Sequence, residues 1–147
     1  MNDQFVLLLL EDSEEDIFLF QRAVAKVGRS VAFQFVRNGM EAQRYLLGEG
    51  QFTNRFEFPM PSVIFADLQL PGMSGMQFLT WLRQEPLVRA LPCVIYSGST
   101  NPTDVQSAYE KGVTSFIVKP IDFAQWVTRL EVVLKFWMDI AQRPIVD

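Results

Sequence analysis

Five short apolar runs, separated by longer segments with helical patterns, limit the folds open to this chain of 147 residues. The runs extend from Phe5 to Leu10, Val31 to Val36, Val63 to Ala66, Cys93 to Tyr96 and Ser115 to Val118. Most are continuously apolar rather than alternating, which is typical of parallel strands covered on both faces. Alternation with helices through right-handed crossovers predicts an open, doubly wound parallel α/β sheet of five strands in a single domain.

Helix signals lie between these runs. Ser13 is an N-cap residue, an acidic first turn follows it, and the apolar stripe of this helix ends at Gly28. The other predicted helices run from Met40 to Leu47, Met76 to Gln84, Pro102 to about Lys111 and Phe123 to about Ile140. A long connection, 48–61, carries Phe52, Phe56 and Phe58, and we expect it to pack against the body of the domain.

Composition excludes several classes of function. The formal net charge is −4 and Lys and Arg do not cluster, which disfavours direct binding of nucleic acid. The sequence has no histidine, so no imidazole can serve as base, nucleophile or zinc ligand. The single cysteine, Cys93, lies in an apolar run, so we expect it in the core. The first apolar run is too short for a signal peptide or a membrane span, which predicts a cytoplasmic protein without a membrane partner.

Polar side chains follow four of the five predicted strands. Glu11 and Asp12 follow the first, Asp67 the third, Ser97 the fourth and Lys119 the fifth. In a doubly wound sheet the functional crevice lies beyond the carboxyl ends of the strands, so we expect these residues at one rim.

Three carboxylates at one rim repel each other unless a cation lies among them. Mg²⁺ is a hard cation that binds one or two protein carboxylates together with a phosphate oxygen. Lys119 and Ser97 can each bind a phosphoryl oxygen, and a carboxylate such as Asp67 can form an acyl phosphate. The set therefore predicts phosphoryl transfer with Asp67 as the nucleophile.

In this order and spacing, the residues resemble the receiver domain of two-component response regulators. Ser97 lies 30 positions after Asp67, and Lys119 lies 22 positions after Ser97. The matching residues are Glu11-Asp12, Asp67 with Pro71 and Gly75, Ser97, and Lys119-Pro120, and the resemblance extends from about Phe5 to about Leu134. It implies a flavodoxin-like fold that takes a phosphoryl group from the phosphohistidine of a histidine kinase onto Asp67, with Mg²⁺ required. The protein would then be a phosphoacceptor rather than an enzyme, with at most weak autophosphatase activity.

The resemblance also implies roles for single residues. Asp12 resembles the direct Mg²⁺ ligand, and Glu11 its acidic neighbour that often binds the metal through water. Together with Asp67, the backbone carbonyl of Gln69 would complete the protein ligands.

Two further residues resemble the switch of the family. The hydroxyl of Ser97 would turn toward the phosphoryl group, which is also paired with Lys119. The aromatic ring of Phe116 would then rotate inward and change the face formed by helix 4, strand 5 and helix 5.

Helix 5 carries more apolar residues than a core stripe needs. Val132, Phe136 and Ile140 lie at a second angle, which indicates either a broad stripe partly covered by the C-terminal tail or a partner or dimer surface, and we favour a homodimer. With the long connection 48–61, the Phe136-Trp137 pair also resembles stand-alone response regulators associated with bacterial phytochromes, and this resemblance implies a dimer through the helix 4, strand 5 and helix 5 face. We expect a receiver core over about 5–134, with 135–147 as the helix 5 extension and tail. A chain ending there would act by binding a partner or by passing its phosphoryl group to a relay.

Simpler interpretations and rival functions remain open at this stage. Each motif taken alone has an ordinary structural explanation, such as an acidic helix start for Glu11-Asp12 or a turn for Lys119-Pro120. A Mg²⁺-dependent phosphohydrolase of the haloacid dehalogenase kind also uses an aspartyl phosphate. That class needs a second Asp two residues after the nucleophile, where this chain has Gln69. A third alternative is a receiver-like scaffold that works without phosphorylation.

Overall fold

A computed structural model describes residues 4–146, and its five parallel strands form one sheet in the order β2-β1-β3-β4-β5. The elements are β1 (Phe5–Leu10), α1 (Glu14–Val27), β2 (Val31–Val36), α2 (Gly39–Leu47), β3 (Val63–Ala66), α3 (Gly75–Gln84), β4 (Cys93–Ser97), α4 (Pro102–Glu110), β5 (Ser115–Val118) and α5 (Phe123–Lys135). A single 3₁₀ turn, Gly50–Phe52, follows α2. The predicted single-domain, doubly wound α/β fold is therefore confirmed, with the strand order of flavodoxin-like proteins.

Helices cover both faces of the sheet, which explains why the strands are continuously apolar. On one face α2, α3 and α4 pack over alternate strand residues such as Leu8 and Leu10. On the other, α1 and α5 pack over Leu7 and Leu9. Both sets of side chains leave water, and this burial is the main source of stability for the sheet. Cys93 is buried in the first of these cores, as expected.

Capping residues fix where the helices begin and end. The Ser13 side chain accepts a hydrogen bond from the backbone N–H of Asp16 at 3.2 Å, which sets the start of α1 directly after the end of β1. Ser74 and Gln77 form a reciprocal capping box at the start of α3. Both helices therefore begin at the carboxyl edge of the sheet, where the predicted site residues lie.

The connection 48–61 packs against α2, although not with all of its aromatic residues. Phe52 and Phe58 contact the ring of Tyr45, and the Arg55 guanidinium donates a hydrogen bond to the Tyr45 carbonyl at 2.7 Å. Phe56 is fully exposed, contrary to the expectation for this segment. The Asn54 side chain accepts hydrogen bonds from the backbone N–H groups of Phe56 and Glu57. The turn formed by these two bonds leaves the Phe56 ring in solvent.

The helix predicted to reach about Ile140 does so, but its last residues are π-helical. A π-helical segment, Phe136–Ile140, continues α5 and closes with a hydrogen bond from the N–H of Ala141 to the carbonyl of Phe136 at 2.8 Å. Trp137 in this segment packs against the core on the α1 and α5 face. The second apolar stripe predicted on this helix is exposed and consists of Val132, Phe136 and Ile140.

Within residues 4–146, every helix is too short or too polar to cross a lipid bilayer.

Candidate functional site

Hydrogen bonds of the sheet continue past the strand ends and fix three of the predicted site residues at the same edge. The backbone N–H of Glu11 donates to the Val36 carbonyl at 3.0 Å, and that of Asp67 donates to the Leu10 carbonyl at 3.0 Å. The N–H of Lys119 donates to the Ser97 carbonyl at 2.7 Å. The backbone of the site is thus held by the same kind of hydrogen bond as the sheet that carries it.

The ammonium group of Lys119 lies among three carboxylates. Its Nζ is 2.9 Å from Glu11 Oε1, 3.0 Å from Asp16 Oδ2 and 3.1 Å from Asp67 Oδ2. It also lies 4.6 Å from the centre of the Tyr96 ring. These contacts join β1, α1, β3, β4 and β5 at a single point.

Burial and charge pairing shift the pKa values of Glu11 and Lys119. Glu11 is only 1% exposed, and this burial raises its pKa to about 7 although the bond from Lys119 opposes the shift. Burial alone would lower the pKa of the Lys119 ammonium, but its hydrogen bond to Glu11 and its other acidic partners raise that pKa above the usual range. Lys119 therefore stays charged throughout the physiological pH range.

A tight loop places the Asp67 carboxylate. Asp67 Oδ1 accepts a hydrogen bond from the N–H of Gln69 at 3.3 Å, which leaves Oδ2 to face Lys119. The N–H of Gly75 donates to the Leu68 carbonyl at 2.9 Å and closes the loop. A Cβ atom at position 75 would collide with the Asp67 carbonyl and would lie 2.8 Å from Leu68 Cα, so the close approach requires glycine.

Asp16, rather than Asp12, joins the other acids in this structure. Oxygens of Glu11, Asp16 and Asp67 lie within 4.8 Å of one another, whereas the Asp12 side chain is exposed and outside this group. The sequence alone indicates for Asp16 only a place in the acidic first turn of this helix. Asp16 lies in the first turn of α1, which begins at the carboxyl edge of the sheet, and that position could have indicated that its carboxylate can reach the rim. The role of Asp12 as a metal ligand stays a prediction.

The predicted switch residues lie on neighbouring strands, Ser97 at the end of β4 and Phe116 in β5. Ser97 is buried, and its Oγ accepts a hydrogen bond from the N–H of Ser99 at 3.2 Å. The hydroxyl of Ser99 in turn donates to Asp104 Oδ2 at 2.7 Å, which connects this loop to the first turn of α4. Phe116 is half-buried and packs against the core on the α2, α3 and α4 face.

The donor set suits a hard divalent cation. Carboxylate oxygens are the ligands that Mg²⁺ prefers, and three of them converge here beside the partly exposed mouth of the site. The ammonium of Lys119 already supplies positive charge at this point, which indicates that the pocket favours a cation. A metal ion bound at this edge of the sheet would be held by carboxylates such as those of Glu11 and Asp67.

The chain is similar in sequence to known response regulators. Residues 7–131 match the family model of the response regulator receiver domain. The regulatory protein FilR2 of Methanothrix harundinacea is 29% identical over 97% of this chain and 89% of its own length. The response regulator Rcp1 of Synechocystis is 28% identical over 97% of this chain and 95% of its own length.

Solved structures of similar proteins agree with the fold. Response regulator RPA3017, described in red light signalling of R. palustris, has a TM-score of 0.92 with 28% identity over 97% of this chain and 99% of its own. The phosphorylated cyanobacterial phytochrome response regulator RcpA has a TM-score of 0.88 with 31% identity over 97% and 99% of the two chains. The Mn²⁺-bound form of Rcp1 has a TM-score of 0.84 with 28% identity over 96% and 99%.

The family match covers four strands in full, all but the first two residues of β1, and every predicted site residue. The similar structures span nearly the whole chain, including the extension of α5. The chain therefore belongs to the response regulator receiver domain family.

Proposed function

We propose that this protein is a single-domain response regulator in which a histidine kinase phosphorylates Asp67 in the presence of Mg²⁺. The observation that carries the proposal is the position of the Lys119 ammonium, 3.1 Å from Asp67 Oδ2 at the carboxyl edge of the sheet. A carboxylate held beside a permanent positive charge is set up to carry a phosphoryl group, because the new negative charge is compensated as it arrives.

The transfer itself needs little from the protein beyond positioning. A carboxylate oxygen of Asp67 attacks phosphorus, the bond between phosphorus and the imidazole nitrogen of the kinase breaks, and the imidazole leaves with the electron pair. Lys119 stabilises a phosphoryl oxygen, and Ser97, from the end of β4, donates its hydroxyl to a second. Mg²⁺ bound at the site would supply further charge neutralisation. Its proposed protein ligands are Asp12, Asp67 and the Gln69 carbonyl, with Glu11 binding directly or through water.

The signal would be read on the face formed by α4, β5 and α5. Ser97 moving toward the phosphoryl group would free space for Phe116, which lies half-buried beside it on the α2, α3 and α4 face. The backbone N–H of Phe116 donates to the hydroxyl of Tyr109 in α4 at 3.2 Å, so a change at β5 reaches that helix directly.

Partners follow from the family and from the exposed residues. A receiver domain implies a histidine kinase, and the similarity to RcpA and RPA3017 supports a kinase of the bacteriophytochrome type. Exposed Val132, Phe136 and Ile140 support a homodimer through α4, β5 and α5.

Beryllofluoride, which mimics a phosphoryl group on aspartate, tests this proposal. With Mg²⁺, it should change the amide NMR signals of Ser97, Phe116 and α4 in the wild type and leave Asp67→Asn unchanged. Identical responses of the two proteins would contradict the proposal. The kinase is identified by phosphotransfer from each kinase of the host, with Asp67→Asn as the control.

The two rivals make different predictions. A scaffold that works without phosphorylation would show an intact fold without Mg²⁺ binding. A phosphohydrolase of the haloacid dehalogenase kind would turn over phosphate esters. The absence of an acid at Gln69, two residues after Asp67, argues against the second rival.

A further inference from the structure

Lys119 has two partners that the proposed phosphoacceptor and metal site does not use. One is the Asp16 carboxylate in α1, 3.0 Å from Nζ. The other is the ring of Tyr96, whose centre lies 4.6 Å from Nζ, within the range of a cation–π contact. Neither residue was assigned a function from the sequence.

These two contacts matter because the ammonium occupies oxygens that a divalent cation needs. Nζ lies 2.9 Å from Glu11 Oε1 and 3.1 Å from Asp67 Oδ2, and both carboxylates belong to the proposed metal site. An ammonium and a divalent cation repel each other and compete for these oxygens. Lys119 must therefore loosen its contacts with Glu11 and Asp67 when the metal binds.

Tyr96 is held rigidly enough to serve as a fixed support. It is 5% exposed, and its ring packs edge-on against Phe20 and tilted against Trp126, with centroids 5.4 Å and 5.0 Å away. Lys119 directly follows β5, whose register with β4 pairs Tyr96 with Ile117. Residue 119 lies two positions beyond Ile117, and this brings the Lys119 ammonium over the Tyr96 ring.

We propose that Asp16 and Tyr96 are positioning residues that keep the Lys119 ammonium at the rim when a divalent cation takes Glu11 and Asp67. The inference rests on the proposed function, because it concerns the same lysine. When Glu11 and Asp67 bind the metal, the Asp16 carboxylate remains as the negatively charged partner of the ammonium. The Tyr96 ring attracts the ammonium through a cation–π contact and does not compete for the metal. Lys119 then stays beside Asp67, ready to bind a phosphoryl oxygen.

The wild-type protein provides the first test, without any substitution. The chain has four lysines, Lys26, Lys111, Lys119 and Lys135, so lysine-labelled protein gives a simple NMR spectrum. The Hε protons of Lys119 should be shifted upfield from the other three by the Tyr96 ring. The proposal predicts that this shift persists when Mg²⁺ is saturating. A return of the Lys119 signal to the position of the other lysines would overturn it.

Substitution of Tyr96 tests whether the ring acts through Lys119. Tyr96→Leu should abolish the upfield shift and weaken Mg²⁺ binding roughly 3- to 10-fold, since an unsupported ammonium returns more often to Glu11 and Asp67. Tyr96→Phe keeps the ring and should retain both properties. In a Lys119→Met background, Tyr96→Leu should leave Mg²⁺ affinity unchanged. An equal loss in that background would show that Tyr96 only supports the core, and would overturn its assignment.

Substitution of Asp16 tests the other half of the proposal. With Mg²⁺ saturating, the ¹⁵Nζ–H signal of Lys119 should remain visible in the wild type, because Asp16 protects the ammonium from exchange with water. Asp16→Asn should lose the signal, whereas Glu15→Gln, an exposed acid in the same helical turn, should keep it. Retention of the signal in Asp16→Asn would overturn the role of Asp16.

Failure of this inference can be told apart from failure of the proposed function. The Lys119 signals are recorded with Mg²⁺ alone and need no phosphoryl donor. A protein that binds beryllofluoride at Asp67 but releases Lys119 from Tyr96 keeps the proposed function and contradicts the inference.

Discussion

The hydroxyl of Tyr109 in α4 accepts a hydrogen bond from the backbone N–H of Phe116 in β5, with 3.2 Å between oxygen and nitrogen. β5 is an edge strand, so this N–H would otherwise face solvent. The bond ties α4 to the backbone of the residue proposed as the aromatic switch. Half of the Tyr109 side chain is exposed, so the bond lies at the surface that we propose changes on phosphorylation.

Removing this hydroxyl should loosen the edge of the sheet. We expect Tyr109→Phe to lower the free energy of unfolding by about 0.5–1.5 kcal/mol, the usual contribution of one hydrogen bond. Hydrogen exchange measured by NMR should become faster at the Phe116 amide. The Lys119 amide, bonded to the Ser97 carbonyl at 2.7 Å, is an internal control and should be unaffected. Unchanged exchange at Phe116 would show that the bond is absent in solution.

Glycine at position 75 should be essential for the phosphoacceptor loop. Gly75→Ala places a methyl group against the Asp67 carbonyl and Leu68 Cα, and we expect a loss of about 1–3 kcal/mol in the free energy of unfolding. Phosphorylation of Asp67 should slow as its carboxylate shifts. Urea denaturation measures the first effect.

Gly98→Ala is the matched control for stability. A methyl group at Gly98 would meet no atom within 4 Å among the described residues. The free energy of unfolding of the Gly98→Ala variant should therefore match that of the wild type. If the two variants lost stability equally, the tight packing at Gly75 would not be the cause.

The buried carboxyl of Glu11 predicts a pH dependence of folding in metal-free buffer. Its pKa is about 7 in the folded protein against 4.5 for an ordinary Glu, so the folded state binds more protons between these values. Stability should therefore be highest below pH 4.5 as far as Glu11 is concerned, and should fall by at most about 3 kcal/mol as the pH rises through 7. Denaturation curves between pH 4.5 and 8 measure this slope.

Two variants isolate the contribution of Glu11. Glu11→Gln cannot ionise, so its stability should vary less with pH over this interval. Glu14→Gln removes an exposed carboxylate from the neighbouring helix start and should keep the wild-type slope. Parallel curves for Glu11→Gln and the wild type would contradict the assignment.

The exposed apolar stripe at the end of α5 predicts an effect on assembly. Phe136→Glu should weaken the proposed homodimer roughly tenfold or more, because it places a charge in an apolar contact. Light scattering after size-exclusion chromatography, with and without beryllofluoride and Mg²⁺, measures the change. Phe56→Glu is the matched control, since Phe56 is fully exposed on the connection before β3. Equal behaviour of both variants would place any dimer interface elsewhere.

The parts of the fold that could be predicted from the sequence are those that a single local signal decides. Apolar runs, most of them uninterrupted, predicted all five strands, because parallel strands covered on both faces are rich in apolar residues throughout. Asp67, Ser97 and Lys119 were predicted at one edge, since a parallel sheet brings the carboxyl ends of its strands together. The sheet topology is therefore sufficient to predict where the backbone of the site lies.

The parts that were not predicted depend on the packing of side chains from different elements. Asp16 reaches Lys119 only because α1 crosses the sheet at a particular angle, which one helical stripe does not specify. Tyr96 resembled an ordinary core aromatic, and its contact with Lys119 requires the β4 and β5 register. The exposure of Phe56 follows from the turn at Asn54, whose side-chain bonding is not apparent from an aromatic-rich loop.

The most direct test of the central claim is the mass of the intact protein after incubation with acetyl phosphate. With Mg²⁺ present, the wild type should gain one phosphoryl group, and peptide mapping should place it on Asp67. Asp67→Asn, and the wild type with excess chelator, should gain none. Equal incorporation by Asp67→Asn and the wild type would contradict the claim that Asp67 is the phosphoacceptor.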